Sequence, residues 1–190
     1  VEEWKPDPSQ TEKPERILLY DKILWEQKER RESVFGPVRR YIESEELQVE
    51  VLRYGNYFPE DLKSALQRCQ AAIYFCEHET QGIAYQQMLA SGVPIFAWNR
   101  GGYWQDPNFF PDRVRYGPVS SVPYWDERCG MKFETAEEFK SNFDAFWGKV
   151  HDSAFSPREY IVENLTLEGC ARWYADIAEE AVSDRDTAKA

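Results

Sequence analysis

The feature that most constrains this chain is the alternation of short, unbroken apolar runs with segments of helical period. The runs "AAIYFC" (71–76) and "VPIFAWN" (93–99) leave no polar face. A strand without a polar face must be covered on both sides, which in practice means a parallel sheet flanked by helices. The segments between supply those helices. "PEDLKSALQRCQ" (59–70) opens with Pro59 and two acids, as a helix N-terminus prefers. "QGIAYQQMLASG" (81–92) runs at helical period and closes at Gly92. Upstream, "RILLYDKI" (16–23) reads as a strand, and "LQVEVLRYG" (47–55) alternates like one and stops at Gly55. Between them "EQKERRESVFGPVRRYIESEE" (26–46) predicts a charged helix interrupted at Gly36-Pro37. The fold class expected is α/β, a Rossmann-like parallel sheet with helices on both faces.

The remaining segments set the organisation. Residues 1–15, with Pro6, Pro8 and Pro14, read as a linker or arm. Residues 16–182 read as one domain, and 183–190 as a frayed tail. The stretch 100–130 has glycine, proline and aromatics without period, which predicts a long loop with one short strand. Helices are expected again after Thr135 and after Ser156, where acids three residues on form capping boxes. "LEGCARWYADIAEEAV" (167–182) is expected to close the fold as an amphipathic helix.

A formal net charge of −11 repels phosphate backbones, so general nucleic-acid binding is not expected. No apolar run is long enough for a transmembrane helix or a signal peptide, and a cytoplasmic location is expected. Cys69, Cys76, Cys129 and Cys170 form no C-x-x-C pair and read as reduced thiols. The chain begins at Val1 without methionine, and an N-terminal partner domain is expected to be missing.

In such sheets ligands bind beyond the carboxyl ends of the strands. Those ends are Asp21-Lys22, Tyr54 to Tyr57, Glu77 to Gly82 and Asn99 to Trp104. The run Glu77-His78-Glu79 has three readings: a polar loop, a metal site, or the rim of a ligand pocket. A zinc site wants converging ligands from several segments, and the second histidine, His151, lies in a distant helical region. His78 could act as a base or bond a backbone carbonyl. Glu79 could cap the following helix instead of binding a ligand. Lys28 lies in a charge run that also reads as a solvated face.

The segment Glu79 to Pro94, "ETQGIAYQQMLASGVP", resembles the donor-site helix of retaining GT-B glycosyltransferases, of the family-4-like kind. Their pattern is a glutamate, a glycine opening a helix, a second glutamate eight positions on, then Ala-Met-Ala-x-Gly-x-Pro. Glu79, Gly82, Ala90, Gly92 and Pro94 match it, and Gln87 stands where the second glutamate would be. The match extends over about residues 50–102, and Gly101-Gly102 falls where the family often has a glycine pair.

The resemblance implies the C-terminal half of a GT-B fold, binding a nucleoside diphosphate sugar such as a UDP- or GDP-sugar. Glu79 and the nearby amides of Thr80, Gln81 and Gly82 would hold the sugar, and Gln87 the ribose. Lys22 and Lys28 echo the family's phosphate-binding Arg and Lys, one residue further apart. Tyr54 and Gly55 would border the nucleotide. The resemblance implies no cofactor beyond the donor substrate and no metal. The two glutamate positions would lie about 12 Å apart along a helix at 1.5 Å per residue, near the reach from sugar to ribose. The activity implied is hexosyl transfer, with the acceptor held by the missing domain.

The alternative, from another class, is a non-catalytic Rossmann-like module that binds a protein partner. Gln87 and the displaced basic pair favour it. From the first strand to Gly55 the chain is also one strand-helix unit short of the family pattern, which leaves two expectations, a smaller sheet or a different first strand.

Overall fold

A computed structural model describes residues 1–6, 13–104, 106, 108 and 116–187, with backbone only for 182–187. Its centre is a five-stranded sheet: β1 (Arg16–Lys22), β2 (Gln48–Arg53), β3 (Ala71–Cys76), β4 (Ile95–Trp98) and β5 (Gly130–Phe133). Every neighbouring pair is parallel, in the order β2-β1-β3-β4-β5. The helices are α1 (Gln27–Arg30), α2 (Gly36–Ser44), α3 (Pro59–Arg68), α4 (Ile83–Ala90), α5 (Ala136–His151), α6 (Pro157–Asn164) and α7 (Leu167–Thr187). This is the expected Rossmann-like α/β architecture with a helical C-terminus.

The two-residue period of each strand sorts its side chains into two cores. Leu18, Tyr20, Ala72, Tyr74, Cys76, Ile95 and Ala97 face one layer, made with Leu62 and Leu66 of α3, Met88 and Leu89 of α4, and Ile161 of α6. Ile17, Leu19, Ile73, Phe75, Phe96 and Trp98 face the other, with Val38 and Ile42 of α2 and Phe139, Phe143 and Phe146 of α5. Burying each large apolar side chain contributes about 1.5–3 kcal/mol. Both faces are therefore held, and β3 is buried along its whole length.

The order of strands sets a topological switch point. From β1 the chain moves to β2 on one side, then returns past β1 to β3 on the other. The connections leave the carboxyl ends of β1 and β3 in opposite directions, the position at which open sheets of this kind bind ligands. The expected shortening is also seen, since β2 pairs directly with β1 and no further strand flanks it among the described residues.

Several local expectations change. Gly36-Pro37 does not interrupt the helical segment expected over 26–46. Residues 31–35 form a π turn in which the Gly36 N–H donates to the Arg31 carbonyl, and α2 continues from it. The widened register carries the helix past the proline. Thr135 caps α5 through the Glu138 N–H, but the Glu138 carboxylate accepts from the Glu134 N–H, one residue before the cap. Ser156 makes no side-chain cap. Helix α7 reaches Thr187, but does not close the fold: Leu167, Trp173, Tyr174 and Ile177 remain exposed. Of the expected arm, residues 7–12 lie outside the described residues, while Trp4 is buried in the α4–α6 layer. Lys13 donates to the Leu66 and Cys69 carbonyls at the end of α3. The expected tail beyond Thr187 also lies outside the described residues. Among the described residues no helix is long and apolar enough to cross a membrane.

Candidate functional site

Lys22 ends β1, and its register partner on β3 is Cys76. The chain then turns, and Glu79 comes back over this pair. Lys22 Nζ lies 2.5 Å from Glu79 Oε1. The Tyr74 hydroxyl donates to the same oxygen at 2.6 Å, and the Cys76 thiol at 3.6 Å. Three donors thus converge on one carboxylate oxygen, while Oε2 carries no hydrogen bond among the described residues. Lys22 Nζ also sits 4.7 Å from the centre of the Tyr54 ring. Burial is the largest single influence and opposes the charge on Lys22, but the Glu79 hydrogen bond together with Cys76, the Glu79 charge and Tyr54 outweighs it, so its pKa rises above the ordinary lysine value. Burial and the nearby Cys76 and Glu79 push the Tyr74 hydroxyl well above its usual range, so it stays a donor.

The question posed by Glu77-His78-Glu79 resolves into three separate roles. The Glu77 side chain turns away from Glu79 and accepts from the Leu24 and Trp25 N–H groups, fixing the turn after β1. Burial raises its pKa, and those two amides pull the other way. His78 lies between two indoles, 4.8 Å from Trp25 and 3.9 Å from Trp104. Burial, then Arg100, hold its pKa below the ordinary histidine value. Among the described residues no three metal-ligating side chains gather. The segment 116–126 is tied to the strand ends by hydrogen bonds. The Glu79 N–H donates to the Ser120 carbonyl, and Asn99 Oδ1 accepts from Ser120 Oγ and from the Ser121 N–H and Oγ.

Helix α4 starts only at Ile83, because Gly82 breaks the backbone with φ +71°. A Cβ there would lie 2.0 Å from the Tyr85 ring. Glu79 therefore precedes the helix by a turn and does not share a helical face with Gln87, which corrects the 12 Å spacing. Nor does Glu79 cap the helix: Gly82 is the cap residue, without a side-chain bond. Thr80 and Gln81 are exposed in the turn, Gln87 is half-buried on α4, and Gly55 is open with φ +82°. So Lys22, Glu79 and Tyr54 come together, with Thr80, Gln81 and Gly82 following in the adjoining turn. Lys28 lies elsewhere, exposed on α1 in a shallow groove with Glu26, Glu29, Glu32 and Ser33.

Two solved structures share this fold. Both are of TarM, a glycosyltransferase with a GT-B-like fold. One aligns over 90% of this chain and 36% of that one, with a TM-score of 0.55 and 12% identity. The other, a mutant of S. aureus TarM in complex with Fondaparinux, alpha-GlcNAc-glycerol and UDP, aligns over 87% and 36%, with a TM-score of 0.51 and 12% identity. At that identity TarM establishes the fold, and the chain spans about a third of TarM's length. No protein-family model matches the sequence, and no curated protein matches it either.

The structure adds residues that the motif does not contain. Tyr74 looked like core, and only its register opposite Tyr20, two pairs before Lys22 and on the same face, places its hydroxyl under Glu79. Asp21 is buried beneath Arg31 and Arg53, which both donate to it. A buried acid flanked in space by two arginines of distant segments leaves no local signal. Arg100 lies within electrostatic range of His78 and Glu77.

Proposed function

We propose that this domain binds a nucleoside diphosphate sugar and serves as the donor half of a retaining GT-B glycosyltransferase. The observation that carries the reading is the Lys22–Glu79 pair at the switch point between β1 and β3. The ammonium would meet the diphosphate and stabilise its charge as it leaves. Glu79, held by Tyr74, would take a sugar hydroxyl through Oε2. The turn at Thr80, Gln81 and Gly82 leads into α4, whose first amides lack intrahelical partners and favour anions. Gln87 would accept the ribose, and Tyr54 and Gly55 would border the nucleotide. Lys22 supplies the positive charge, so the reading requires neither metal nor cofactor. UDP is the first nucleotide to try, because a TarM complex contains it. The acceptor is assigned to a further domain, so this chain by itself is expected to bind donor without turning it over.

The pairing of Lys22 with Glu79 also favours a second reading. A lysine already neutralised from within need not meet a phosphate, and the module could instead bind a protein partner. Calorimetric titration with UDP, GDP, ADP and a UDP-sugar separates the two. The donor reading expects saturable binding of one nucleotide, weakened about tenfold or more by Lys22→Gln, the loss of one charge-assisted contact. It expects Glu79→Gln to weaken the nucleotide sugar more than the bare nucleotide. No heat with any of the four on folded protein would leave the partner module.

A further inference from the structure

The carboxyl edge of the sheet carries a second cationic group, away from the Lys22–Glu79 pair. Arg100 lies two residues beyond β4 and is half-exposed. Among the described residues no hydrogen bond or ion pair reaches its guanidinium, and its Nε is buried without an acceptor. Arg30, at the end of α1, also has a buried Nε without an acceptor. Its one ion pair among the described residues runs from the other end of the guanidinium to Glu26, at 2.5 Å. Arg30 stands over the Trp98 ring, 6.0 Å from its centre, and within electrostatic range of Arg100.

Two arginines from separate elements thus lie within electrostatic range of each other beyond the carboxyl end of β4, Arg30 over the Trp98 ring and Arg100 two residues past it. Burial and then Arg30 push the Arg100 pKa below its ordinary value, while Glu77 and Glu26 act in the opposite sense. Both acids already have other partners. Glu77 is engaged by the Leu24 and Trp25 amides, and Glu26 by Arg30. His78, next to Arg100, is stacked between its two indoles, and its pKa is lowered in part by that arginine. Like charges kept together and partly dehydrated destabilise the fold until an anion lies between them. Guanidinium groups bind phosphate oxygens in pairs, and a doubly charged phosphate ester matches two arginines better than a carboxylate does.

We propose that Arg100 and Arg30 form a phosphate-binding site, distinct from the Lys22–Glu79 pair, that takes the phosphate of an ester ligand. The inference does not depend on the donor reading. That phosphate could belong to a nucleotide donor reaching across the edge of the sheet or to a separate phosphorylated ligand. The chemistry is shared, and competition tells the two sources apart.

The test is calorimetric titration of the whole chain with inorganic phosphate and methyl phosphate, comparing wild type, Arg100→Gln and Arg100→Lys. Saturable binding is expected in the wild type, weakened about tenfold or more in Arg100→Gln and partly restored in Arg100→Lys, the size of one lost charge-assisted contact. Thermal unfolding supplies the control against a structural role. Arg100→Gln should be as stable as wild type or more so, because it removes repulsion and no hydrogen bond. Phosphate should raise the melting temperature of the wild type and not of Arg100→Gln. Displacement of phosphate by UDP would make the site part of a nucleotide site, and simultaneous binding would assign it to another ligand. Wild type that takes up no phosphate overturns the proposal. So does Arg100→Gln that binds as well as wild type, or that melts well below it. If UDP fails to bind at all, the phosphate titration still reads the arginine site on its own.

Discussion

At the residue scale, the end of β3 shows how neighbouring polar side chains acquire unrelated duties. Glu77 ties down the β1–α1 turn, His78 fills a slot between Trp25 and Trp104, and Glu79 turns back to Lys22. Lys22 and Glu79 were legible in the sequence because both stand where strands stop, and a strand end in a parallel sheet is a ligand position. The duty of Glu77 was not, because its acceptors' partners lie more than fifty residues upstream. His78 gives a test by pH. The fold holds its pKa below the ordinary 6.5, through burial and then Arg100. As pH falls through that unfolded value the unfolded chain takes up a proton first, so stability from neutral His78 is present above it and lost below. His78→Phe keeps a ring in the slot and removes the titration. Urea unfolding of both proteins between pH 5 and 8 should show the wild type losing stability relative to His78→Phe on acidification. Parallel pH curves would mean that His78 titrates alike in both states.

At the scale of elements, helix starts were legible where they rest on local chemistry and illegible where they rest on packing. Pro59 opens α3, and Asp61 accepts from the Phe58 N–H, all within four residues. The start of α4 is different. The segment from Gln81 reads as continuous helix, but Gly82 takes a left-handed backbone so that Tyr85 can fold down against it. Tyr85 then uses its hydroxyl to hold the Tyr124 backbone at both N–H and carbonyl. The glycine thereby positions both the turn after Glu79 and the segment 116–126. Gly82→Ala places a Cβ in the Tyr85 ring and forces a positive φ on a side chain that disfavours it. A loss of about 1–3 kcal/mol is expected in denaturant unfolding. Gly82→Ala, Tyr85→Leu should lose less than the sum of the two single changes, because removing the ring removes the clash. Full additivity would place the cost in the backbone alone.

For the molecule as a whole, the sheet and its two covering layers followed from period-two runs and helical spacing, and its short outer edge from the length of chain available. What the sequence could not show is which amphipathic segments find a partner. The expected closing helix has the right spacing of Leu167, Trp173, Tyr174 and Ile177, yet all four are exposed, while α6 just before it buries Tyr160 and Ile161. Periodicity states that a helix has an apolar side, and nothing about where that side goes. The stability of the domain should therefore end at α6. Residues 167–181 bury little apolar surface, so removing residues 167–190 should move the melting temperature by no more than about 3 °C, the size of a 1 kcal/mol change at this length. Ile161→Ala, by contrast, opens a hole in the layer below α4 and should cost about 2–4 kcal/mol. Calorimetric melting of the truncated chain and of the point variant puts both on one scale. A truncation as damaging as Ile161→Ala would mean that α7 covers this domain in solution. A harmless one would make α7 an appendage whose exposed aromatics contribute nothing to holding the sheet together.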